Sequence, residues 1–379
     1  MKNKKIIYRL SAIGILSITF VVVLFLLSEN EVHLNNAFTR RYIPRPITKL
    51  FKLPLKYNAY YISGWDKEHF YLSSSTAPLH LLKLNLKTRD TQHIKIKLER
   101  KDLPFRSVKT KVIPPNFFVM DGTVPCVFRG KVKDWQAKLW MKDQVFFTES
   151  TPIDSNTIAF KTIDSKLLRT ILGVIQKDTM FHVKLNKTLL KKQIDGVFCT
   201  AGKLHYSENL NELIYVYLYR NQYIVIDTKL TKETYGKTID TISKAQLKVV
   251  MNSRTNEKKL AKPPVYVNQK SFVHKNYLYV KSGRLGKFES TTMINQASII
   301  DVYNITKNSY EFSFYLQDDK GEKVKDFAIN GNHLLSINGD TALIYKLKPS
   351  FFQNKSKDIM ISSKTKIKAY NNILASFRK

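Results

Sequence analysis

Residues 297–316 read ASIIDVYNITKNSYEFSFYL. An alternating apolar stretch runs to a polar turn and resumes as an alternating aromatic run, which is the pattern of a half-buried β-hairpin. The same form returns at 79–98 (LHLLKLNLKTRDTQHIKIKL) and at 222–239 (QYIVIDTKLTKETYGKTI), and TALIYKLKP at 341–349 reads as the first half of another copy. In this reading Asp301 and Asp227 each end the first strand of their hairpin. Two further strand-like runs precede the later copies: GVFCTAGKLHY and ELIYVYLYR before 222–239, VYVNQKSFVH and NYLYVKSG before 297–316, and KDFAING and HLLSING before 341–349.

Four strands per unit, recurring along the chain, predict a β-propeller, because a sheet with two apolar faces buries both only when neighbouring sheets cover them. The blades are expected at 57–98, 106–141, 145–187, 193–242, 265–316 and 324–347. The fold class is therefore all-β, a six-bladed β-propeller; seven blades is the alternative count, because 145–187 divides poorly, and a β-sandwich is the competing architecture. The last blade lacks a fourth strand, and ITKLFKLP at 47–54 is a strand without a hairpin partner. Adding it to the last blade would close the ring and remove exposed edges.

Outside the repeat, Lys2, Lys4, Lys5 and Arg9 precede an uncharged run over residues 10–27 that leaves through Leu26-Leu27-Ser28-Glu29-Asn30. Its length suits a membrane-spanning helix, and no A-x-A-like cleavage pattern follows. The expected organisation is a cytoplasmic basic flank at 1–9, a transmembrane anchor at 10–27, a stalk at 28–46, the propeller at 47–347 and a C-terminal extension at 348–379. With the basic flank retained inside, the expected location is the inner membrane, single-pass, with the propeller in the periplasm.

Lys and Arg number 63 against 30 acids, a net charge of +33. That balance suits an anionic ligand or surface; nucleic acid is not expected, because no basic cluster coincides with a nucleic-acid motif. Cys126 and Cys199 are the two cysteines, and spacing leaves open whether they form one disulfide or two buried thiols.

YNAYYISG followed by STAPLHLL, then IDGVFCTAGKLHY, LIYVYLYRNQYIV and QASIIDVYNITKNSYEFSFY, together resemble a family of uncharacterised, membrane-anchored six-bladed propeller proteins of flavobacteria-like bacteria. The resemblance covers most of residues 40–347. It implies a bacterial envelope protein and supports six blades, and it carries neither an activity nor catalytic residues.

Chemical signatures are sparse. Gly236-Lys237-Thr238 ends like a phosphate-binding loop, but Thr231 stands where that motif needs glycine. The eight histidines fall singly, without metal-ligand spacing, and 318–322 lacks the alternating ligands of a calcium loop. There is no GxSxG elbow, and Asp66, Asp121, Asp195 and Asp227 read as turn residues. No cofactor and no metal are expected, and catalytic residues are unassigned. The candidate binding residues lie in loops joining second and third strands, which gather on one face of a propeller: Arg220, Asn221, Arg284, Lys287, Glu289, Ser75 and His80. Arginine forks there suit carboxylate or phosphate. The expected function is a non-catalytic binding or scaffold module for an envelope protein or an anionic ligand; the runner-up is a hydrolase or lactonase-like enzyme acting on carbohydrate or small molecules.

Overall fold

The computed structural model describes residues 2–34, 37–252 and 257–352. After an N-terminal helix, Lys2–Leu34, the chain is almost wholly antiparallel sheet: four four-stranded sheets, one nine-stranded sheet that joins two further four-stranded units, and a two-stranded ribbon, Val249–Asn252 with Glu257–Leu260, between the fourth and fifth units. The first unit is Tyr60–Trp65, His69–Ser74, His80–Asn85 and Thr91–Lys95. The second is Val108–Ile113, Asn116–Asp121, Cys126–Lys131 and Gln136–Lys142, with Lys97–Leu98 added in parallel at its outer edge. The third is Glu149–Pro152, Thr157–Asp164, Arg169–Lys177 and Phe181–Asn186. The fourth is Gly202–Ser207, Glu212–Tyr217, Gln222–Asp227 and Glu233–Lys237. The fifth is Asn268–His274, Tyr277–Ser282, Ala297–Asn304 and Ser309–Gln317. The sixth takes Val324–Asn330, His333–Asn338 and Thr341–Leu347 from the end of the domain.

The fourth strand of the sixth unit is Ile47–Pro54, paired antiparallel with Thr341–Leu347 from Ile47 opposite Leu347 to Pro54 opposite Thr341. The orphan strand expected at 47–54 thus closes the ring, joining sequence positions almost three hundred residues apart.

Packing explains why both faces of the middle strands are apolar. Along Ala297–Asn304 every residue is buried. Ile300 and Val302 join Phe327, Leu334 and Leu343 of the sixth unit, whereas Tyr303 joins Ile214 and Val216 of the fourth. Equivalent clusters lie between the sixth and first, first and second, second and third, and third and fourth units. Six shared cores for six units make a closed cycle, a propeller in which each sheet covers its neighbours. Units one and two approach most closely: Gly64 pairs with Val112 across the boundary, and a Cβ on Gly64 would stand 1.9 Å from the Val112 carbonyl oxygen. Only glycine fits that contact.

Two expectations need correction, and the structure decides one question that spacing left open. Asp301 does not end its strand. It sits in the middle of Ala297–Asn304, buried, opposite Ser313; Asp227 does end its strand. The segment expected to be a stalk is not a free spacer over 38–46, because it wraps the outer edge of the fifth unit. The Arg40 side chain is fully buried there: Nε donates to Asp301 at 2.7 Å, Nη1 to Glu289 at 2.5 Å, and Nη2 to Ser282 at 2.7 Å and to the Arg284 carbonyl at 3.0 Å. Tyr42 stacks on Tyr315 and donates to Glu289 at 2.8 Å. Lastly, Cys126 and Cys199 are separate, buried free thiols. Cys126 belongs to the core between units one and two, and Cys199 packs with Tyr219 and Ala245 of the fourth. Of the extension expected from 348, a short helix, Pro349–Phe352, lays Phe351 and Phe352 on the core between the fifth and sixth units; the rest lies outside the described residues.

Two consequences are measurable. Replacing Arg40 by Met leaves two buried carboxylates unpaired and should cost roughly 3–5 kcal/mol in denaturant unfolding; Asp301→Asn in the same background should recover part of the loss. Native protein should resist thiol alkylation at both cysteines, with both reacting once the chain is unfolded.

Candidate functional site

The first strand of every unit faces the axis, and these six strands meet one another in cyclic order. Side chains alternate along a strand, so every second residue of each first strand points into the axial channel. At the end where these strands begin, the channel collects Lys109, Glu149, Lys203, Lys270 and Lys325, with Lys111 and His205 one layer deeper. Asp326 turns inward at a register shift in its strand. Glu149 and Asp326 are the only acids in the six first strands.

The acids are fully engaged. Glu149 pairs with Lys161 at 3.0 Å and Lys203 at 3.4 Å. Burial opposes its charge, but those two lysines outweigh burial and hold its carboxyl below the usual range. Asp326 pairs with Lys270 at 2.9 Å and accepts from the Ile62 N–H at 3.0 Å, which ties units five, six and one together. No carboxylate lies within ion-pairing distance of Lys109 or Lys111 among the described residues. Lys109 lies over the Tyr61 ring at 4.8 Å. Burial holds both ammonium groups below the ordinary lysine range; neighbouring lysines add to this at Lys109, whereas at Lys111 the charges of Asp326 and Glu149 work against it. Burial also lowers Lys281, one strand back from the axis, to about 8. His205 is pushed down by burial to about 3, so it is neutral near pH 7, and its Nε2 lies 2.8 Å from Ser271 Oγ. Toward the far end, Trp65 packs edge-on against Phe272 at 5.2 Å and makes the channel apolar.

This is a one-ended cationic well. Ammonium groups gathered this closely attract oxyanions, and an anion there would relieve the mutual repulsion of the lysines.

The residues anticipated from loops do not form one site. Arg220 is buried, its guanidinium 3.6 Å above the Tyr217 ring and donating to the Lys191 carbonyl at 3.2 Å. Asn221 is also buried and ties its loop to the backbone of Asp240 and Ile242. Arg284 is half-buried and pairs with Asp240 at 3.0 Å. Glu289 serves the Arg40 cluster, and the neighbouring Lys287 extends over Phe288. Ser75 and His80 lie apart on the first unit: Ser75 donates to the Ala59 carbonyl at 3.1 Å, and His80 Nε2 lies 2.9 Å from His93 Nδ1. Folding consumes most of these groups. The channel lysines escaped sequence reasoning although Lys109-Thr110-Lys111 carries the signal, two lysines on one face of a first strand; the others contribute one or two residues per unit, and only ring closure gathers them.

Among the described residues no three metal-ligating side chains cluster. A cavity of about 470 Å³ beside Lys97, Glu99 and Arg129 lies at the outer edge of the second unit, away from the axis.

The sequence matches no protein-family model and no curated protein. Solved structures do resemble the fold. A member of the DUF4221 family from Bacteroides vulgatus aligns at TM-score 0.51 and 10% identity, over 82% of this chain and 99% of its own. A catalytically inactive virginiamycin B lyase from Staphylococcus aureus, solved with quinupristin, aligns at 0.41 and 11% identity over 79% and 99%. A nidogen/laminin complex aligns at 0.42 and 8% over 68% and 81%. The first likeness extends over the whole of that chain and concerns the fold alone.

Proposed function

We propose that this protein is a membrane-anchored envelope propeller that binds an anionic ligand, carboxylate or phosphate, in the lysine-lined mouth of its axial channel, as a binding or scaffold module without catalysis. The observation that carries the reading is the charge imbalance of the first strands. Five lysines (109, 111, 203, 270 and 325) stand there against Glu149 and Asp326, and among the described residues no carboxylate lies within ion-pairing distance of Lys109 or Lys111. Lysine donors on rigid strands pre-organise an anion site at little entropic cost.

The helix supplies the anchor in this reading. Lys4–Leu26 is long and apolar enough to cross a bilayer, which suits a single-pass anchor or a signal sequence. The basic flank at its start favours retention of the N-terminus in the cytoplasm, which in this reading leaves the ring on the periplasmic side. The anchored-propeller architecture is the one expected of the flavobacteria-like family that the sequence resembles.

Calorimetry of the detergent-solubilised full chain with pyrophosphate tests the site. Lys109→Gln combined with Lys111→Gln orphans no acid, so the variant should melt like the parent yet lose about tenfold in affinity or more, ~1.4 kcal/mol. Equal affinity in the two proteins would refute the channel reading. Lys109 and Lys111 are held below the ordinary lysine range, so affinity should fall as pH rises toward that range and these ammonium groups lose their protons, and should grow as pH drops.

A further inference from the structure

We infer that the face onto which the channel mouth opens is a docking surface for the anionic bilayer that the N-terminal helix spans. The inference rests on the anchor reading above and is independent of the channel ligand.

Chain connectivity brings this face to the membrane. The helix ends at Leu34, and the carbonyl of Phe38 already accepts the Lys287 N–H at 2.8 Å, in the loop between the second and third strands of unit five. Four residue steps reach about 14 Å at most. Helix between Leu26 and Leu34 adds about 12 Å. The buried Arg40 cluster clamps that segment in place, so the tether cannot pay out.

The face itself has the chemistry of an interfacial surface. The strand order puts on one side every loop between second and third strands and every connection between units. Ser75 there donates its N–H to Ala59, and Phe147 to Gly122, across such loops. The same side holds Phe288, 82% exposed, Tyr57 and Phe146, each 67%, Leu168, 57%, and Met251, 55%. These five tips come from different positions around the ring. Among the described residues, the turns on the opposite side expose Met180 alone of the large apolar residues. Sidedness of this kind is not the scatter expected on a soluble surface. Lys192, Lys244, Lys248, Lys262 and Lys287, in the loops and connections of the same side, are exposed, and Lys287 lies over the Phe288 ring. Aromatic and aliphatic tips among lysines suit a headgroup layer, where rings seat at the boundary and ammonium groups meet lipid phosphates.

The test uses the full chain reconstituted into vesicles of phosphatidylcholine alone or rich in phosphatidylglycerol. An environment-sensitive fluorophore is placed singly by Phe288→Cys, Phe146→Cys or Met180→Cys; the native thiols are buried and stay unlabelled. The labels at 288 and 146 should shift to the blue, be quenched by brominated lipid and resist an aqueous quencher, more so with anionic lipid, while the label at 180 stays water-exposed in both. Chain that floats with the vesicles but shows all three labels equally exposed to water overturns the docking surface and leaves the anchor standing. Chain that does not float overturns the anchor, and the docking with it.

Discussion

The antiparallel pairing of Ile47–Pro54 with Thr341–Leu347 is the contact on which the rest of this structure depends. Each unit is a sheet apolar on both faces, and each face needs a neighbour. An open row of such sheets would leave two uncovered faces and an unpaired edge; a ring leaves none. Because the closing strand comes from the start of the domain, closure also fixes the N-terminal segment that leads into it. Arg40 and Tyr42 are buried against the fifth unit as a consequence, with Asp301 and Glu289 as their partners.

Closure creates the site as well as the core. First strands must converge on an axis too narrow for all of their side chains to be large and apolar, and here the space is taken at one end by charge and at the other by Trp65 and Phe272. The two acids at the axis act as ties: Glu149 joins lysines of units three and four, and Asp326 joins units five, six and one. The remaining ammonium groups are held apart by rigid strands, so their repulsion cannot relax by side-chain rearrangement alone. A ligand anion would be the economical way to relieve it.

The contrast between Arg220 and Lys111 shows why loop chemistry misled and strand chemistry was overlooked. Arg220 sits in a loop at the expected face, yet its side chain folds inward onto Tyr217. Lys111 lies within a strand, where sequence alone shows only that it shares a face with Lys109, and the ring turns that face toward the axis. Asp301 carries the same lesson. Its alternation in the hairpin was visible, but its partner is Arg40, 261 residues away in the chain, and no local pattern announces that pair.

Local periodicity was sufficient for the strands, the four-strand unit, the orphan strand at 47–54 and the apolar helix, because alternation and hydropathy are properties of neighbouring residues. Tertiary structure decided what depends on which strands share an axis: the cationic well, the burial of Arg40, the separation of the two thiols and the gathering of apolar tips on one face. Those features join side chains scattered over the whole chain, and sequence spacing carries no information about distances that only ring closure sets.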